Sequence, residues 1–188
     1  MTPLQAPIIT HRLLIRAVGE ADLADLMEVN GDEQVTRYLP YATWRTLDDG
    51  VAWLARMQAL VATNGALQLV MVHASERRAI GTVLLFKFDA GSARLELGYA
   101  LGRAHWRQGY AKEALAAVCE HAFSAMGIRR IEAEVHPDNV ASNALLRTLG
   151  FVQEGRLRQR WVAKGVAYDT HIYGCLAEEW GGCGAPGG

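Results

Sequence analysis

The residues Trp106-Arg107-Gln108-Gly109-Tyr110-Ala111-Lys112-Glu113-Ala114 carry the strongest chemical signal in the chain. They follow a strand-like stretch, Arg94-Leu95-Glu96-Leu97-Gly98-Tyr99-Ala100-Leu101, and open an amphipathic stretch from Gly109 to Met126. A strand, a short basic loop, a glycine and a helix leave N-terminal N–H groups without helical partners. They also present the positive end of the helix dipole. Both features suit a phosphate-bearing ligand. The plainer alternative is an ordinary glycine-started helix capped by water. A nucleotide site of the P-loop kind would need Lys-Ser/Thr after the glycine, and none follows Gly109; no Gly-x-Gly-x-x-Gly occurs either.

The strand before the loop alternates. Leu95, Leu97, Tyr99 and Leu101 fall on one face and Glu96, Gly98 and Ala100 on the other. Two small residues beside a carboxylate leave room over the sheet, for a ligand or for a tightly packed helix. Glu132 and Glu134, on the alternating stretch Arg130–His136, are rival carboxylates. Asn139, Ser142 and Asn143 follow Pro137 and can cap a helix or bind a polar ligand. Cys119 beside Val118 reads as packing, not as a nucleophile. Trp44 with Tyr41 could line an acceptor groove, although core packing fits them better. The six histidines and three cysteines show no metal-ligand spacing.

These groups need elements to hold them. Arg12–Arg16 reads as the first strand, followed by short helices near Glu20–Val29 and Glu33–Tyr38, with Pro40 as a breaker. Thr46-Leu47-Asp48-Asp49 resembles a capping box opening a helix to about Ala62, ended by Asn64-Gly65. Gln68–His73 and Ile80–Phe88 form a hairpin, and Arg94–Leu101 is the next strand. The helix from Gly109 carries Ala111, Ala114, Leu115, Val118, Ala122 and Met126 on one face and stops at Gly127. A strand at Arg130–His136 and a helix at Val140–Leu149 closed by Gly150 come next. Two strands, Phe151–Leu157 and Val166–Tyr173, complete the pattern. It predicts one domain over residues 1–180 and a flexible Gly-rich tail over 181–188.

The 188 residues carry 19 Lys+Arg against 20 Asp+Glu, a net charge of −1, and 51% are hydrophobic. That balance speaks against disorder and against non-specific nucleic-acid binding, which needs a basic surplus. No apolar run reaches bilayer-spanning length, and the first residues do not read as a secretory signal. Three widely spaced cysteines fit a reducing, cytoplasmic setting.

Four ordered blocks resemble the GNAT superfamily of acyl-CoA-dependent N-acyltransferases, and within it the RimJ/RimL-like branch. They are Thr10–Arg16; Glu96–Leu101 with Trp106–Ala111; Asn139–Asn143 running into Leu149-Gly150-Phe151; and Gly165–Asp169. Trp106 stands where the broad superfamily has Gln or Arg, a departure common in this branch. The resemblance implies an α/β (α+β) fold, with a mixed, mainly antiparallel central sheet of about seven strands flanked by helices. It implies acetyl-CoA as cosubstrate. The pyrophosphate would lie on the amides of Gln108, Gly109, Tyr110, Ala111 and Lys112, with Arg107 or Lys112 adding charge. The pantetheine arm would lie along Tyr99, Ala100 and Leu101, with Asn139 and Asn143 as further contacts. An N–H near Tyr99 or Ala100 would polarise the thioester.

The same resemblance makes Glu96 the base that strips a proton from the amine, directly or through water. An amine attacks only when neutral, and its pKa is about 8 for a peptide α-amine and about 10.4 for Lys. The alternative for Glu96 is an ion pair with Arg94 or a neighbour. Ser142 would protonate the departing thiolate; Tyr168 and Tyr173 are weaker candidates for that task. The expected activity is acetyl transfer to a primary amine, a protein N-terminal α-amine, in a ternary complex. The alternatives are a non-catalytic acyl-CoA-binding module and an acetyltransferase for a small-molecule amine. A homodimer, the commonest symmetric assembly, stays open.

Overall fold

The computed structural model describes residues 6–63 and 65–181. Its strands are β1 (Ile8–Ile9), β2 (Leu13–Ala17), β3 (Ala66–His73), β4 (Ala79–Asp89), β5 (Arg94–Leu101), β6 (Arg130–Val135), β7 (Val152–Ala163) and β8 (Val166–Leu176). The α-helices are α1 (Leu23–Asn30), α2 (Glu33–Thr36), α3 (Leu47–Ala62), α4 (Tyr110–Ser124) and α5 (Val140–Thr148). One eight-stranded sheet runs β1-β2-β3-β4-β5-β6-β8-β7. Every neighbouring pair is antiparallel except β5 with β6. The eighth strand is the two-residue β1, too short to show a hydrophobic period. The expected stop at Asn64 lies outside the described residues, as does the tail from 182 onward.

Two apolar clusters sandwich the sheet. On one face α4 presents Ala114, Leu115, Val118, Cys119 and Ala122 to Leu13, Ile15, Leu69, Met71, Leu95, Leu97 and Ile131. On the other face α1 and α3 bring Leu23, Leu26, Trp53 and Leu54 against Val70 and Val72. Strand β3 is therefore buried along its whole length. Each fully buried Leu or Ile contributes about 1.5–3 kcal/mol to this arrangement. Trp44 and Tyr41 belong to the second layer, not to a groove. Trp44 packs on Trp53 at 5.5 Å between ring centroids, and the Tyr41 hydroxyl donates to Asn30 Oδ1 at 3.0 Å.

The functionally important irregularity lies at the parallel pair. β5 and β6 register as Arg94↔Arg130, Leu95↔Ile131 and Glu96↔Glu132, and then part. Beyond that point β5 stays paired with β4 as far as Leu101. β6 stays paired with β8 as far as Val135. Each diverging strand is held by its outer neighbour, so the inner edges of residues 97–101 and 133–135 face each other without strand pairing. Both α4 and α5 begin at the wide end of the wedge. Among the described residues no helix is long and apolar enough to cross a membrane.

Candidate active site

The wedge opens into a cleft of about 570 Å³, within the usual range for small-ligand sites. Its walls come from β5 (Tyr99, Ala100, Leu101), the α4 entry (Arg107 and Gly109 to Lys112), the α5 entry (Asn139, Ser142, Leu145) and the segment around α2 (Val35, Arg37, Tyr38). Tyr99, Ala100, Leu101, Arg107, Gly109, Tyr110, Ala111, Lys112, Asn139 and Ser142, all expected at the site, line it. Gln108, Glu96 and Asn143 do not.

The α4 entry has the geometry of a cradle, with free N–H groups at an uncapped helix start. Arg107 and Gly109 both have left-handed backbone, with φ of 60° and 84°. No side chain caps α4, and its first helical bond runs from the Glu113 N–H to the Gly109 carbonyl at 3.0 Å. The N–H groups of Tyr110, Ala111 and Lys112 precede that bond and border the cleft. The Trp106 indole N–H donates to the Leu101 carbonyl at 2.7 Å and pins the loop to the end of β5. Trp106 is thus a loop anchor, which explains how the position does without Gln or Arg.

Sequence reasoning gave no role to the clamp behind this cradle. Arg12 donates from Nε to Glu113 Oε2 at 2.7 Å and from Nη1 to the Gln108 carbonyl at 2.9 Å. Its guanidinium lies 4.2 Å from the Tyr110 ring centroid. Thr10 Oγ1 and the Arg12 backbone N–H both donate to Glu113 Oε1. Burial works against the Glu113 charge, but the hydrogen bonds from Thr10 and Arg12 hold its pKa below the usual value. Thr10–Arg12 stood in the first block of the resemblance. A clamp between residues about a hundred positions apart leaves no local trace.

At the apex of the wedge the three carboxylates separate by their neighbours. Glu132 is bound on both sides, by Arg94 Nη1 at 3.0 Å and Arg130 Nε at 2.8 Å. Glu134 accepts from the Trp161 indole and has Lys87 Nζ and Arg160 Nη2 each at 3.5 Å. Glu96 is 7% exposed and accepts from Lys87 Nζ at 2.6 Å. Desolvation raises its pKa, against the opposing pull of Lys87. The ion pair expected with Arg94 or a neighbour therefore forms with Lys87. A bulge after Phe86 gives Lys87 a φ of 52° and turns its side chain over β5.

The α5 entry divides its polar residues. Asn139 is the cap, accepting from the Ser142 N–H at 3.2 Å, and it also borders the cleft. Asn143 is buried, with its amide committed inside the protein. Nδ2 donates to the Asn139 and His136 carbonyls, and Oδ1 accepts from the Tyr173 hydroxyl at 2.7 Å. It holds the turn in place from behind, and Tyr173 is occupied by it. Beside the α5 entry, the rings of Tyr38, His136 and Tyr168 pack in sequence, tilted, at 4.9 and 4.8 Å between centroids. The Cys119 thiol is fully buried, and burial pushes its pKa up, which leaves it inert.

A split parallel pair with an uncapped helix at its mouth is the frame that the fold supplies for a transferase site. Residues 12–152 match the acetyltransferase (GNAT) domain model, and the chain belongs to this family of N-acetyltransferases. It is 32% identical over 164 residues to the uncharacterized N-acetyltransferase YoaA of Bacillus subtilis, covering 87% of this chain and 93% of that one. The ribosomal-protein-serine acetyltransferase of Escherichia coli is 29% identical over 110 residues, 58% of this chain and 61% of its own length. Among solved structures, Mycobacterium smegmatis RimJ in complex with CoA-disulfide superposes with a TM-score of 0.80 at 21% identity. That match covers 93% of this chain and 91% of the other and bears on the fold.

Proposed function

We propose that this N-acetyltransferase moves the acetyl group of acetyl-CoA to the N-terminal α-amine of a protein, by direct attack in a ternary complex. The observation that carries the donor half is the wedge itself: unpaired strand edges leading to the uncapped N–H groups of Tyr110, Ala111 and Lys112. Those groups, with Arg107 and Lys112, suit a pyrophosphate. The inner edge of β5 suits an extended amide-bearing arm, and of the two expected N–H groups that of Tyr99 can face the thioester oxygen as charge develops there, whereas that of Ala100 turns toward β4.

Glu96 takes the amine proton through a water. It stands at the apex, buried, with a raised pKa, on the face opposite the α4 core. Ser142 serves the departing sulfur from the α5 wall. The acceptor half is supported by the E. coli relative, which acetylates a ribosomal protein, and by a base, Glu96, placed at the apex of the wedge. Thiol release from acetyl-CoA tests the reading. Peptides with a free N-terminus should drive it, and the same peptides blocked at the N-terminus should not. Turnover with polyamines or amino acids but no peptide would move the acceptor to the small-amine class. Tight CoA binding with no turnover on any acceptor would leave a binding module.

A further inference from the structure

Most of the chain's tyrosine hydroxyls are engaged: Tyr38 donates to the Asp138 carbonyl, Tyr41 to Asn30, Tyr173 to Asn143, and Tyr110 pairs with His73. Tyr99 differs. Its hydroxyl is buried and has no hydrogen-bond partner, a condition shared among the described residues by Thr170 alone. Tyr99 lines the cleft and Thr170 does not. Buried hydroxyls are nearly always satisfied, so one left open inside a ligand cleft calls for a partner from the ligand. The side chain that approaches the Tyr99 hydroxyl is Ser142, on the α5 wall of the same cleft, without a hydrogen bond of normal geometry between them.

We propose that the Tyr99 hydroxyl is a second donor to the departing sulfur of the acyl donor, forming with Ser142 a two-point thiolate clamp. This rests on the acetyl-CoA reading above. The backbone of Tyr99 faces the unpaired edge of β5, while its hydroxyl, at the far end of the ring, meets the α5 wall. One residue can therefore serve the acyl oxygen through its N–H and the sulfur through its side chain. In the reaction the C–N bond forms, the C–S bond breaks, and sulfur leaves with the electron pair. The amine proton goes to Glu96 through water. Tyr99 keeps its proton and shares it in an O–H···S⁻ hydrogen bond. Burial pushes the Tyr99 pKa up to about 12, above the ~8.5 of an ordinary thiol, so sharing is favoured over transfer.

The test is the ionisation of the thiol in bound CoA, followed by thiolate ultraviolet absorbance, in the wild type, Y99F and S142A. Desulfo-CoA binding by calorimetry reports the rest of the cleft. In the wild type the bound thiol should titrate below the free one. Y99F should move it up by about one unit, a tenfold change, with desulfo-CoA affinity unchanged. S142A should keep part of the shift, because Tyr99 remains. Turnover of Y99F should fall roughly ten- to a hundredfold at unchanged KM for acetyl-CoA. Its melting temperature should fall little, since the deleted hydroxyl makes no hydrogen bond of normal geometry in the protein. An unaltered thiol titration in Y99F would overturn the proposal. So would a complete loss of the shift in S142A, or a turnover loss matched by an equal loss of desulfo-CoA binding. A wild-type protein that binds neither CoA nor desulfo-CoA would instead bring down the acetyl-CoA reading, and the clamp with it.

Discussion

Glu96, Glu132 and Glu134 stand within a few residues of the point where β5 and β6 part, and their sequence contexts are nearly alike. Their neighbours tell them apart. Glu132 is locked between two arginines, Glu134 lies among Lys87, Arg160 and Trp161, and Glu96 is buried against one lysine. A base must be ionised to act, so a raised Glu96 pKa should place the acid limb of the kcat/KM profile above the ordinary carboxylate range. E96Q should remove that limb and lower kcat by about a hundredfold. K87M takes away the ammonium that pulls the pKa down, so it should move the limb to higher pH while the limb persists. A wild-type profile in E96Q would exclude Glu96 as the base.

At the scale of elements, the α4 entry was legible from the residues, whereas the parting of β5 from β6 was not, because it depends on which outer strand holds each of them. Gly109, Asn139 and Ser142 stand at the helix starts expected of them, and half of the Thr46/Asp49 capping box forms, with Asp49 Oδ2 accepting from the Thr46 N–H at 3.0 Å. The lower reaches of β7 were not legible. Arg156–Val162 is exposed on both faces and carries no alternation, yet it pairs with β8 to the tip. The Arg12–Glu113 clamp was equally invisible, because it joins two elements distant in sequence. The reason for glycine at 109 also needed coordinates. Its φ is positive, and an added Cβ would lie 3.3 Å from Arg12 Nη2. G109A should therefore cost about 1 kcal/mol of stability in thermal melts and weaken CoA binding at least tenfold by calorimetry. Glu113 has a lowered pKa, so its contribution to stability is present above the unfolded value of about 4.3 and is lost as pH falls through the folded value. E113Q should be less stable than wild type by about 1–3 kcal/mol at pH 7, the difference closing in acid. Equal melting temperatures at pH 7 would show that the clamp contributes little.

Across the whole molecule, the far edge of the sheet returns to the cleft. The β7–β8 hairpin turns at Lys164-Gly165, both with positive φ, a two-residue turn whose twist matches its strands. At the tip Lys164 Nζ donates to the Thr36 carbonyl at 2.8 Å. Thr36 ends α2, and the neighbouring Val35, Arg37 and Tyr38 are cleft wall. Trp161 and Tyr168, on the two arms of the hairpin, bring Glu134 and the Tyr38–His136 pair under the same arch. With the donor seated on the α4 side as proposed above, this arch borders the face left for the acceptor. Losing the Lys164 bond removes roughly 0.5–1.5 kcal/mol of tethering, mostly on that face. K164M should therefore raise the acceptor KM about two- to tenfold while leaving the acetyl-CoA KM and the melting temperature near wild type. Steady-state kinetics with each substrate varied in turn separates the two. Equal rises in both KM values would mean that the hairpin supports the cleft as a whole and does not shape the acceptor side.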